Sequence, residues 1–125
     1  MAHDLVDELY DNIRRDETDI VAIARRTGWK VANIAKIKNH LFIQEHLLDA
    51  YEALGVAPTL ARFDSDQIIA EAWQRLKDGE FSPSDLQLLR HETAEAWYMR
   101  RHGPSYLKAH RAAQKRFPAP LELWG

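Results

Sequence analysis

Apolar residues recur along this chain every three or four positions, and that spacing predicts helices almost from end to end. DLVDELYDNIRRD places Leu5, Leu9 and Ile13 on one face, and TDIVAIARRTG restarts a helix with Thr18 or Asp19 as its cap and Gly28 as its stop. From Val31, the positions Ile34, Ile37, Leu41 and Leu48 form one stripe, which predicts a longer helix ending near ALGVAP, where Gly55 and Pro58 break it. A loop through APTLARFDSD leads to the Asp-capped helix DQIIAEAWQRLKDG, closed by Gly79. SPSDLQLLRHETAEAWYMRRHG opens on Ser82 with Pro83 at the first helical position, and HGP turns the chain into a last helix, SYLKAHRAAQKRF. The tail PAPLELWG reads as extended, and no segment alternates for long enough to predict a strand. The expected fold is all-α, one domain over residues 1–125 with its core between 4 and 117. It is a single compact bundle of about six helices, with a helix-turn-helix-like N-terminal part and a C-terminal helical hairpin.

Composition narrows the class. A chain of 125 residues, 46% apolar and with 4 tryptophans, can bury one real core. It has no cysteine, so disulfides, thiolate zinc sites and cysteine nucleophiles are excluded, as fits a cytoplasmic protein. No apolar run reaches the ~18 residues of a membrane span, and the N-terminus is acidic where a signal peptide would be basic and then apolar. No membrane partner is expected. The net charge of -2 hides an asymmetry: residues 4–19 carry seven acids against Arg14 and Arg15, whereas residues 90–116 carry seven Lys/Arg against Glu92 and Glu95. The second half suits an anionic partner such as nucleic acid, or is simply a solvated basic face.

LLRHETAEAWYMRR, residues 88–101, reads like the zinc-peptidase motif H-E-x-x-H with Glu95 where the second histidine would stand. At about 100° per residue, Leu86, Leu89, Thr93 and Trp97 share one face, the expected core stripe. Leu88, His91, Glu95, Tyr98 and Met99 lie opposite. A helix apolar on two sides puts His91 and Glu95 between packed layers, where a carboxylate needs a cation, a metal or good donors. His110 follows the Gly103–Pro104 turn at a distance that sets it level with Glu95, beside the small residues Ala109, Ala112 and Ala113. His91, Glu92, Glu95 and His110 thus form one expected cluster. His40 and His46 would point about 120° apart on a continuous helix, so only one of them is expected to join it. His3 and His102, at a terminus and a turn, are left aside.

Three other segments carry weaker signals. IVAIARRTGWKVANIAKI has helix-turn-helix spacing, with Lys30, Asn33 and Lys36 facing a groove if it reads DNA; two helices around a Gly turn give the same pattern without that role. Ile69, Trp73 and Leu76 read as a buried stripe, and Phe63 as a loop anchor. Asp64 and Asp66 suit a cation, although a helix cap accounts for Asp66.

At IKNHLF, AWQRL, LLRHE and AH, within residues 20–117, the chain resembles a domain found at the C-termini of bacterial polymorphic toxins and in some phage head-associated proteins. The resemblance implies an all-helical effector, a nuclease or other hydrolase, with His40, His46, His91, Glu92 and His110 as candidate active-site groups and a cognate immunity protein as partner. No delivery module precedes the domain, as would fit an autonomous or phage-derived protein equally. Three functions are expected from these residues. In a phosphodiester hydrolase, one histidine or Glu92 is the base and another histidine the acid, with Lys38 or the arginines of YMRRHG meeting the developing charge. A divalent ion could take over one of these roles. In a zinc peptidase, His91, Glu95 and His110 hold the metal and Glu92 activates water. In a helical interaction or nucleic-acid-binding module, the histidines only satisfy hydrogen bonds.

Overall fold

Short polar side chains set where most of the helices begin. The structure, a computed structural model, describes residues 4–118. His3 and residues 119–125, with most of the expected extended tail, lie outside the described residues. α1 (Leu5–Arg15) opens on Asp4, whose carboxylate accepts from the Asp7 amide at 2.8 Å. α2 (Asp19–Thr27) follows Thr18, which makes no side-chain cap; Asp19 instead turns into the core. Gly28 closes α2 in the left-handed region, φ 78°, which a side chain would resist, and the chain re-enters a helix at α3 (Val31–Lys38). This is the helix-turn-helix-like unit.

The long helix expected from Val31 does not form. After Lys38 the backbone widens into a π-helical turn, Asn39–Ile43, and then runs extended into β1 (His46–Leu48). Side chains explain the change, because they take carbonyls that a continuing helix would bond internally. His46 takes the carbonyl of His40, Arg14 that of Phe42, and Arg62 that of Ile43. β1 pairs antiparallel with β2 (Thr59–Ala61), His46 opposite Ala61 and Leu48 opposite Thr59, across a short 3-10 turn at Glu52–Leu54. The sequence pattern gave no hint of this small sheet: three-residue strands are too short to alternate.

α4 (Gln67–Asp78) opens on Asp66, which accepts from the Ile68 and Ile69 amides, so the capping role is the one observed. α5 (Pro83–His102) opens on a capping box between Ser82 and Asp85, with Pro83 in the first turn, and Arg75 of α4 clasps the Asp85 carboxylate through two hydrogen bonds of 2.9 and 2.8 Å. α6 (Tyr106–Arg116) opens on Ser105 and packs along α5 as the second arm of the hairpin.

One core joins these elements. Tyr10 and Ile13, Ile23, Ile34 and Ile37, Leu41 and Phe42, Ile69, Trp73 and Leu76, and Leu89 meet in it. Trp73 is buried there as the stripe predicts. Trp97 is not: it is 48% exposed, with the Arg101 guanidinium 5.6 Å from its ring, because α3, α4 and α6 cover the Leu88, Leu89 and Ala96 sides of α5 instead. Among the described residues no helix is long and apolar enough to cross a membrane.

A polar knot ties the first half together. Asp19 receives Lys38 Nζ at 2.9 Å on one carboxylate oxygen and Trp73 Nε1 at 3.0 Å on the other, while Lys38 also donates to the Asp16 carbonyl at 2.7 Å. The Lys38 ammonium is thus committed to Asp19 and does not serve as the anion-stabilising group expected of it. Removing one member of a buried pair strands the other charge. Asp19→Ala is therefore expected to cost about 3–5 kcal/mol in urea unfolding, and adding Lys38→Met to recover a large part of it. An unchanged midpoint in the single variant would contradict this role.

Candidate functional site

Glu95 lies at the meeting point of three imidazoles from three elements. From the π-helical turn, His40 Nε2 reaches Glu95 Oε1 at 2.8 Å. From one turn earlier on α5, His91 Nε2 stands 3.3 Å from Glu95 Oε2, and from α6, His110 Nδ1 stands 3.2 Å from the same oxygen. Glu92, one turn from Glu95, lies beside it, with Oε2 3.3 Å from His40 Nε2. Glu92, Glu95, His40 and His91 are buried, whereas the His110 side chain is 30% exposed.

Backbone carbonyls fix two of the rings. His91 Nδ1 donates to the Phe117 carbonyl at 2.9 Å, which turns Nε2 toward Glu95. His46 Nε2 donates to the His40 carbonyl at 2.7 Å, leaving its buried Nδ1 without a hydrogen bond. The His46 ring packs edge-on against His40 at 4.6 Å and stacks on Phe63 at 4.3 Å, and Tyr106 bridges Phe63 to His110. Both His40 and His46 therefore reach the cluster, against the expectation that one would point away. The 120° separation holds only on a continuous helix, and here the helical turn ends at Ile43, between the two residues. His46 meets no carboxylate; it buttresses His40. Phe63 and Tyr106 are the residues sequence reasoning did not place here, although Tyr106, four residues before His110, shares its face of α6.

Burial and proximity divide the charges. Burial opposes ionisation of Glu95, but hydrogen bonds from His110, His40 and His91 outweigh it and hold the carboxyl well below the usual carboxylate range. Glu92 goes the other way: burial first, then the neighbouring Glu95 charge, push it up. Burial also works against a charged His40, yet Glu92 and Glu95 raise it to about 9, while burial holds His46 below its ordinary value. At neutral pH the centre is thus an imidazolium on the Glu95 carboxylate, beside a second acid that burial and the Glu95 charge push upward.

One side of the cluster meets a cleft. This cleft, of about 400 Å³, is lined by His40 and His46 but not by Glu95, His91 or His110, with exposed Lys36 and Arg100 on its rim. Around it the charge asymmetry becomes a surface. All seven cations of residues 90–116 (Arg90, Arg100, Arg101, Lys108, Arg111, Lys115 and Arg116) are exposed, and both acids of that stretch are inside. Comparison with protein-family models, curated proteins and solved structures finds no match, so the likeness to toxin and phage-head domains rests on the motifs alone.

His40 supplies a direct check. In metal-free protein its ring resonances are expected to titrate near pH 9, and in Glu95→Gln to move toward the ordinary 6.5. The folded value lies above the unfolded one. The stabilisation from this pair is therefore complete below pH 6.5 and is lost as pH rises through about 9, a loss that urea unfolding of parent against Glu95→Gln would read. A parent His40 titrating near 6.5 would contradict the pairing.

Proposed function

We propose that the protein is a hydrolase that cleaves phosphodiester bonds of nucleic acid at the Glu95-centred cluster. The observation that carries this reading is the convergence of His40, His91 and His110 on one buried carboxylate beside a cleft rimmed by Lys36 and Arg100. Acid–base hydrolysis needs one group that takes a proton and another that gives one. His110, partly exposed and oriented by Glu95, takes the proton from the attacking water; His40, kept as imidazolium by Glu95 and Glu92, gives a proton to the leaving oxygen as the P–O bond breaks. Lys36 and Arg100 hold the phosphate and offset its developing charge. The acid-free surface of α5 and α6 supports a polyanion as substrate, because phosphate binding is dominated by exposed Lys and Arg. The toxin-like resemblance supports the same class, with an immunity protein as its natural antagonist.

A second reading keeps the nucleic acid and drops the chemistry. Lys30, at the N-cap of α3, and Lys36, on that helix, are exposed in the helix-turn-helix-like unit, as a binding module would require. Incubation with RNA and DNA separates the two. Cleavage is expected in the parent and is expected to fall about 10²- to 10⁴-fold in His110→Ala and in His91→Ala. Equal cleavage by all three proteins would end the hydrolase reading. Absence of cleavage, with duplex affinity that falls in Lys30→Ala and Lys36→Ala, would support the binding module.

A further inference from the structure

Glu92 is the acid of the cluster that hydrogen bonds from the protein leave unsatisfied. It is fully buried, and neither carboxyl oxygen takes a hydrogen bond. His40 Nε2 lies 3.3 Å away, but its single N–H is directed at Glu95 Oε1, 2.8 Å distant. An ionised Glu92 is thus a buried anion whose nearest positive group, the His40 ring 3.3 Å away, gives its shorter contact to Glu95, and protonation removes the charge without supplying partners. A cation would satisfy it.

The donor atoms around Glu92 and Glu95 fall into two triads, His91–Glu95–His110 and His40–Glu92–Glu95, and within each triad the ligand atoms lie within 4.8 Å of one another. Glu95 belongs to both. It presents Oε1 to His40 and Oε2 to His91 and His110, the disposition of a carboxylate that bridges two ions rather than capping one. We propose that the cluster binds two divalent transition-metal ions bridged by Glu95, one completed by His91 and His110 and the other by His40 and Glu92. The inference rests on the hydrolase reading of that same site but changes its proton carriers: with ions bound, His40 and His110 would be ligands, and metal-bound water would take over the acid and base roles given to them in the metal-free protein. It also replaces the peptidase-like single zinc with a pair.

Second contacts fit such a centre. The Phe117 carbonyl holds His91 in the tautomer whose Nε2 faces the carboxylate, and His46 anchors the backbone of His40. Coordination at His40 Nε2 displaces the N–H now given to Glu95, and that proton leaves to solvent. Mixed imidazole and carboxylate donors suit zinc, manganese or iron. Three protein ligands per ion leave positions for water, as catalytic sites do, and paired ions ~3.5–4 Å apart are a recurring means of activating water and holding a leaving oxygen in phosphodiester cleavage.

Chelator-stripped protein, titrated separately with zinc and with manganese and freed of excess metal by gel filtration, tests this by metal analysis. The parent is expected to retain about two ions per chain of at least one metal, Glu92→Gln and His110→Ala about one, and Glu95→Gln less than one. Glu92→Met guards against a folding artefact: it should also drop to one ion while the stripped protein melts no lower than the parent, because an unsatisfied buried acid has been replaced by an apolar chain. A parent that retains one ion or none with both metals, or a Glu92→Gln variant that still retains two, would overturn the proposal. The two readings fail separately: cleavage that survives stripping, with no ion bound, ends the metal pair and keeps the hydrolase, whereas two bound ions without cleavage do the reverse.

Discussion

The site depends on one constraint: a carboxylate placed in a dry interior must be met by positive charge or strong donors, and Glu95 is met by imidazoles from three separate elements. That requirement links parts of the chain far apart in sequence. α6 must lie along α5 for His110 to arrive, and the chain must leave its helix after Lys38 for His40 to turn inward. An isolated contact between Glu95 and any single histidine would not demand this arrangement. Four ring systems and two acids packed together do.

The π-helical turn at Asn39–Ile43 is where local structure gives way to the site. A regular helix would have used its carbonyls internally and carried His40 and His46 to different faces. Instead Arg14, Arg62 and His46 take three of those carbonyls, and the freed backbone crosses into a short strand that brings the His46 ring against His40. Irregular helical turns of this kind collect at functional sites because they aim side chains that a straight helix cannot. Away from this region the structure is held conventionally, by an apolar core and by the buried Asp19–Lys38–Trp73 knot.

Much of this was legible in the chain. The helix starts at Asp66 and Ser82 follow from short polar side chains before apolar periodicity, and the hairpin geometry set His110 level with Glu95 from residue counting alone. The break after Lys38 was not legible, because it depends on Arg14, 28 residues before the carbonyl it takes, and on Arg62, 19 residues after its own, separations that no local window contains. The apolar stripe through Leu41 and Leu48 therefore suggested a helix where tertiary contacts dictate a turn and a strand. Trp97 misled for a related reason: the periodicity of α5 offers two apolar sides, and only its neighbours decide which is covered.

If Glu95 organises the histidines as one unit, their effects on turnover must be coupled through it. Nucleic-acid cleavage by Glu95→Gln, His110→Ala and the double variant measures that coupling. Once the shared carboxylate is gone, losing the histidine as well should cost little more, so the double variant is expected to be nearly as active as the slower single one. Losses that multiply would mean that the two residues act independently, and the centre described here would not be a centre.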